Sequence, residues 1–211
     1  EYCFDCRRSD HEYERGAALF EYDFIKSSLY RFKYQGRREY AEAYGKYEGG
    51  GFRDTWQAEE GWSAGAATAS IRHLERLSLK GSFSFEQTEG YGMCGSMFID
   101  PGFYPVDVLE FTPGRKSLQT YAFDGGFSYD LTSEWRIGAA MDFTSANMAK
   151  RKDLRHTNWK LDMTVAPGFM YHSGDFAIGG SYIFRKTSES IKAEQVGTSE
   201  SSYYAFLDKG L

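Results

Sequence analysis

The chain has 211 residues, 18% of them aromatic and 26% charged, with a formal net charge of -5. Mean hydropathy is -0.56 and no run approaches the roughly 20 apolar residues of a membrane helix. That excludes helical spans but not a β-barrel, whose alternating strands average out. The acidic balance gives no basic footprint for nucleic acid, and 3 Cys are too few for a disulfide framework.

Residues 1–48 read as an αβ segment. Cys3-Phe-Asp-Cys6 is a C-x-x-C pair, and Ala17 to Tyr22 suits a short strand. Ile25, Leu29 and Phe32 recur at helical spacing, and Gly36 would end that helix. Arg37 to Tyr47, with Ala41, Ala43 and Tyr44, predicts a second helical segment. Cys3 and Cys6 are half a zinc site, with His11 available as a third ligand; the alternative is two thiols holding no metal.

From residue 49 onward the character is β. Glu48-Gly-Gly-Gly51 is a linker or turn, and Trp62 to His73 alternates weakly as a strand. After a turn at Leu74–Arg76, Leu77, Leu79, Phe83 and Phe85 alternate with Ser78, Lys80, Ser84 and Glu86. Gly90 to Leu118 carries three of the four prolines and predicts a long irregular loop. Four strongly alternating strands follow. They start at Tyr121, Trp135, Trp159 and Phe176, with short turns at Thr132–Glu134 and His172–Asp175 and a charged loop over Ala146–Asn158. Ile191 to Leu211 is rich in Ser and Glu.

Short and long connections therefore alternate, as in outer-membrane barrels. The strong runs span about 11–13 residues, enough to cross the apolar slab at a tilt. Tyr121 and Tyr129, Trp135 and Phe143, Trp159 and Tyr171, Phe176 and Phe184 bracket their strands, as interfacial aromatics do. The other face carries Asp124, Asp130, Arg136, Asp142, Lys160, Asp162 and Arg185, which suit a wet lumen better than a dry core.

The fold class expected is mainly β: an antiparallel up-and-down meander of about six strands forming part of a transmembrane β-barrel, with the small αβ segment in front. Six strands cannot close a membrane barrel, so a longer polypeptide is expected. The opening at Glu1, with no secretory leader before it, and the polar close at Asp208–Leu211 agree with that.

Lys150, Arg151, Lys152, Arg155 and His156 form a basic cluster in the expected external loop. They are candidate contacts for outer-membrane lipid or lipopolysaccharide; the bland reading is a solvated loop. Cys94, in a Gly-rich stretch with no evident His/Asp partner, reads as a small packed residue. No H-E-x-x-H, G-x-S-x-G or P-loop pattern occurs, so an enzyme is not expected, and no cofactor beyond zinc at Cys3/Cys6 suggests itself.

Two resemblances divide the chain. Tyr2-Cys-Phe-Asp-Cys6, Ala18-Leu-Phe-Glu-Tyr22 and Ile25 to Arg37 resemble the front of ComF-type phosphoribosyltransferase-like proteins. That resemblance implies that Cys3 and Cys6 correspond to the last two ligands of a zinc ribbon; the first two ligands and the family's phosphate-binding loop are missing. Met93 to Lys116, Lys150 to His156, Val165-Ala-Pro-Gly168 and Ala205 to Leu211 resemble an uncharacterised outer-membrane β-barrel family of Bacteroides-type bacteria. It implies a larger barrel with strands on both sides of residues 49–211. The two belong to different compartments, outer membrane and cytoplasm, so a composite chain is expected. The functional expectation is a non-enzymatic section of an outer-membrane barrel with an unassigned transport or surface-binding role. The alternatives are a remnant of a ComF-like protein and a soluble β binding domain.

Overall fold

A computed structural model describes residues 37–51, 53, 57–197 and 203–207. Among these described residues, nine strands form one antiparallel sheet: β1 (Arg37–Gly49), β2 (Glu60–His73), β3 (Leu77–Ser96), β4 (Val106–Asp130), β5 (Trp135–Lys150), β6 (Arg155–Ser173), β7 (Phe176–Ser181), β8 (Phe184–Glu194) and β9 (Tyr203–Leu207). Strands β1 to β7 pair in chain order, β8 pairs with β6 and β9 with β4. The sheet is mainly a meander and is not closed into a barrel; among the described residues β1 bonds only to β2, and β7 and β8 only to β6.

β7 and β8 share one register against β6, with Gly168 facing Ser181 and Val165 facing Phe184. The gap at Tyr182–Ile183 lies across from Pro167, which has no N–H to offer the ladder. Tyr182 N donates to Pro167 O at 3.0 Å, so the strand runs on through the gap.

Period-two alternation gives the sheet two unlike faces. On the outer face, Phe83, Phe123, Phe143 and Met163 stand in one row across β3–β6, and Leu77, Tyr129, Ile137 and Phe169 in another. Phe85 packs on Tyr121 with centroids 5.0 Å apart, and Trp135 on Tyr171 at 5.0 Å. Such pairs bind neighbouring strands together. Even so, Phe123, Phe127, Trp135, Phe169 and Ile178 remain exposed. The inner face is the more enclosed one and is polar. One of its rows runs Ser82, Asp124, Asp142, Thr164, Arg185. Lys80 lies 3.8 Å from Asp124, and Arg185 lies 3.1 Å from Asp162.

The structure corrects three sequence expectations. Arg37 to Tyr47 is strand, not helix. Tyr40 and Tyr44 are four residues apart, a spacing that fits one helix face and also one strand face. Pairing with β2 along the whole length decides between them. β1 thus enters the sheet across the boundary expected near residue 48. The irregular loop expected over Gly90–Leu118 shrinks to residues 97–105, because β3 runs to Ser96 and β4 begins at Val106. The loop expected over Ala146–Asn158 is a short connection between Lys150 and Arg155. The expected strand over Ala17–Tyr22 and the expected helix of Ile25, Leu29 and Phe32 lie outside the described residues, as do Cys3, Cys6 and His11.

The short turns behave as expected. Leu74 N bonds Leu77 O at 2.7 Å, and Leu131 N bonds Trp135 O at 2.9 Å. At the third turn Gly174 takes φ 58, a conformation that costs glycine nothing.

Candidate functional site

The strands extend well past the aromatic band at the end opposite the short turns. Lys116 lies five residues beyond Tyr121, which is about 17 Å along the strand. There β3 and β4 kink. Their register shifts between Gly90 and Met93 and again between Met93 and Gly95. Gly92 at φ 70 and Gly95 at φ 89 supply left-handed backbone that other residues resist. On the facing strand, a Cβ added to Gly114 would sit 2.8 Å from Lys150 Cε. The glycine therefore permits the close approach.

Beyond the kink the β3–β4 hairpin lies against the inner side of β5, β6 and β8. Met97 is buried, and Asn158 Nδ2 on β6 donates to its carbonyl at 2.6 Å. Ile99 N donates to Glu189 Oε1 on β8 at 2.9 Å. Lys160 pairs with Asp100 and lies 5.0 Å from the centroid of the Phe103 ring. β9 adds a strand to the hairpin by pairing along Val106–Glu110.

The seam contains a buried charge cluster. Glu110 is paired with Lys150 and lies 3.8 Å from Lys116. All three are within 3% of complete burial. Lys116 Nζ also donates to Ser96 O at 2.7 Å, and Lys150 Nζ to Thr112 O. Burial pushes the Lys116 ammonium down to about 8; Glu110 opposes that shift and Lys150 adds to it.

His156 faces Lys150 directly across β5 and β6 and is 2% exposed. Asn158 spends its amide hydrogens on Met97 O and Glu189 Oε1, so its Oδ1 accepts from His156 Nδ1–H at 2.8 Å. The neutral ring then presents a lone pair at Nε2. Burial pulls the imidazole down to about 4, the Asn158 bond opposing and Lys116 and Lys150 adding to the shift.

The whole sheet falls within a single family match, to DUF6850, a family of unknown function, over residues 27–210. The chain belongs to that family. The match runs unbroken through the point near residue 48 where the two sequence resemblances part, and it names neither an outer-membrane nor a ComF-like family. No curated protein and no solved structure matches the chain.

In this DUF6850 chain the basic cluster read from sequence splits in two. Lys150 and His156 turn inward and are buried. Arg151 and Lys152 are exposed, and Arg155 pairs with Asp153 at 3.2 Å at the tip. Cys94 sits half-buried in the kink. Among the described residues no group of three His, Cys, Asp or Glu stands ready for a metal ion.

Sequence reasoning missed Glu110, Lys116, Asn158 and Glu189, because all but Glu189 fell in expected loops. A signal was present. Glu110, Thr112, Gly114 and Lys116 keep the even-numbered spacing of the inner face of β4, and Met148 and Lys150 keep that of β5.

Proposed function

We propose that this sheet is a section of an outer-membrane β-barrel with a non-enzymatic transport or surface-binding role. The observation that carries the reading is the inversion of the faces: the apolar face is outward and open, while the enclosed face holds ion pairs. A water-soluble sheet does the reverse, since each large apolar side chain moved out of water contributes about 1.5–3 kcal/mol. Lipid against the outer face and water along the inner one satisfy both.

Three further features agree. The long strands project on one side, short turns cap the other, and aromatic pairs mark the margins of the apolar band. The band ends at β8, where Lys186 and Ser188 take outward positions opposite Met163 and Leu161. Additional strands beyond β1 and β8 complete the barrel, because an open edge in lipid leaves backbone groups unbonded. At the projecting end Arg115, Arg151 and Arg155 lie beside the paired positions Lys116, Lys150 and His156. Arg115 pairs with Glu89 at 2.7 Å and Arg155 with Asp153 at 3.2 Å, while the exposed Arg151 guanidinium suits a phosphate of lipopolysaccharide.

The decisive experiment replaces Phe127, on the outer face of β4, with Arg. In lipid this costs about 2–4 kcal/mol, with weaker heat-modifiable migration and a smaller share in the outer-membrane fraction. In water the same change is neutral and leaves a detergent-independent protein; that outcome refutes the barrel.

A further inference from the structure

We propose that the hairpin tip between Gly92 and Glu110 is a displaceable plug, which closes the inner side of the sheet and swings outward about Gly92 and Gly95 to open it. The inference rests on the barrel reading, in which that inner side is a passage. Three observations carry it.

The first is position. The tip is not stacked on the ends of β5 and β6 but turned back against their inner faces. Asn158 and Lys160 reach it from β6, and Glu189 from β8.

The second is the chemistry of the seam. Apart from the buried side chain of Met97, the bonds described across it are hydrogen bonds and ion pairs, which water can replace. Every buried side-chain polar atom without a hydrogen-bond partner among the described residues belongs to a residue of this seam. They are Tyr104 OH and Glu110 Oε1 on the hairpin, and His156 Nε2 and Glu189 Oε2 on the wall. In the docked seam those atoms have no protein hydrogen-bond partner, although Lys116 Nζ stands 3.8 Å from Glu110 Oε1. Undocking opens them to bulk water, which narrows the free-energy gap between the docked and undocked states.

The third is the hinge. Two glycines with positive φ lie on one strand, and Pro113-Gly114 on the other, at the level where the regular pairing of β3 and β4 breaks. β9 pairs only with the tip among the described residues, so it travels with the hairpin rather than anchoring it.

The test uses the complete polypeptide purified from outer membranes, with Cys3, Cys6 and Cys94 replaced by Ser and with Asp100→Cys and Lys160→Cys introduced. A short reducible bis-methanethiosulfonate reagent bridges the new thiols, and conductance is read in planar bilayers before and after dithiothreitol. The bridged protein is expected to conduct severalfold less than the same sample after reduction, while the cysteine-free parent ignores the reductant. Asp100→Ala, which removes a half-exposed partner of Lys160, is expected to raise the open fraction without bridging. Failure of the bridge to form, or a bridge that leaves conductance unchanged, overturns the plug. A chain absent from the outer-membrane fraction overturns the barrel reading and the plug with it, a result distinct from an unresponsive channel.

Discussion

Glu110→Ala is expected to destabilise the protein by about 3–5 kcal/mol at neutral pH, the usual cost of leaving a buried charge without its partner. Two ammonium groups depend on that one carboxylate. Lys150 is fully buried beside it and Lys116 lies 3.8 Å away. The bonds to Ser96 O and Thr112 O remain but carry no opposing charge. The loss is limited at Lys116, whose ammonium burial already pushes down to about 8, so that it can give up its proton rather than stay charged without Glu110. The penalty should therefore shrink as pH rises through that value.

Reversible urea unfolding in detergent, followed at pH 7 and pH 9.5, measures both quantities. The triple change Glu110→Leu with Lys150→Met and Lys116→Met should recover most of the loss, because it removes all three charges from the low-dielectric seam. Arg155→Ala is the control: its pair with Asp153 is half-exposed and is worth about 0.2–1 kcal/mol. Equal losses from Glu110→Ala and Arg155→Ala would show that the cluster is hydrated rather than buried.

How much of this was legible beforehand depended on the length over which a pattern ran. Tyr121 to Leu131 alternates without exception, and its neighbours from Trp135, Trp159 and Phe176 do the same; all four are strands. Where Gly, Pro and charge interrupt the alternation, sequence reading stopped too early. Thr112-Pro-Gly114 marks a kink within β4 rather than the end of a strand. The run of Lys150 to His156 resembled a solvated loop because local composition cannot show that a hairpin 40 residues earlier folds back to cover it. Lys150 needs Glu110 and Asn158 needs Met97, and these contacts arise only once β4 and β6 share one sheet. Arg37 to Tyr47 failed for a different reason. Alanines and an i, i+4 tyrosine pair favour a helix in isolation, and thirteen paired positions on β2 override that preference.

The second large effect concerns acid. His156 is expected to make stability fall by about 3 kcal/mol as pH drops from 6.5 towards 4. The folded value is about 4 and an ordinary imidazole titrates near 6.5, so between them the unfolded chain binds the extra proton. Stability from this group is complete above pH 6.5 and is lost as pH falls through the folded value, at about 1.4 kcal/mol per pH unit. The physical cause is that an imidazolium at this position would be desolvated. It would face Lys116 and Lys150, with Asn158 Oδ1 the one acceptor it is given. His156→Gln keeps a donor for Asn158 but does not titrate. The wild type should exceed this variant most at pH 7.5, and the gap should narrow by about 3 kcal/mol by pH 4. A gap that stays constant across that range would mean the ring is not neutral and enclosed. The hairpin would then leave His156 open to water, and the seam described above would not be closed at neutral pH.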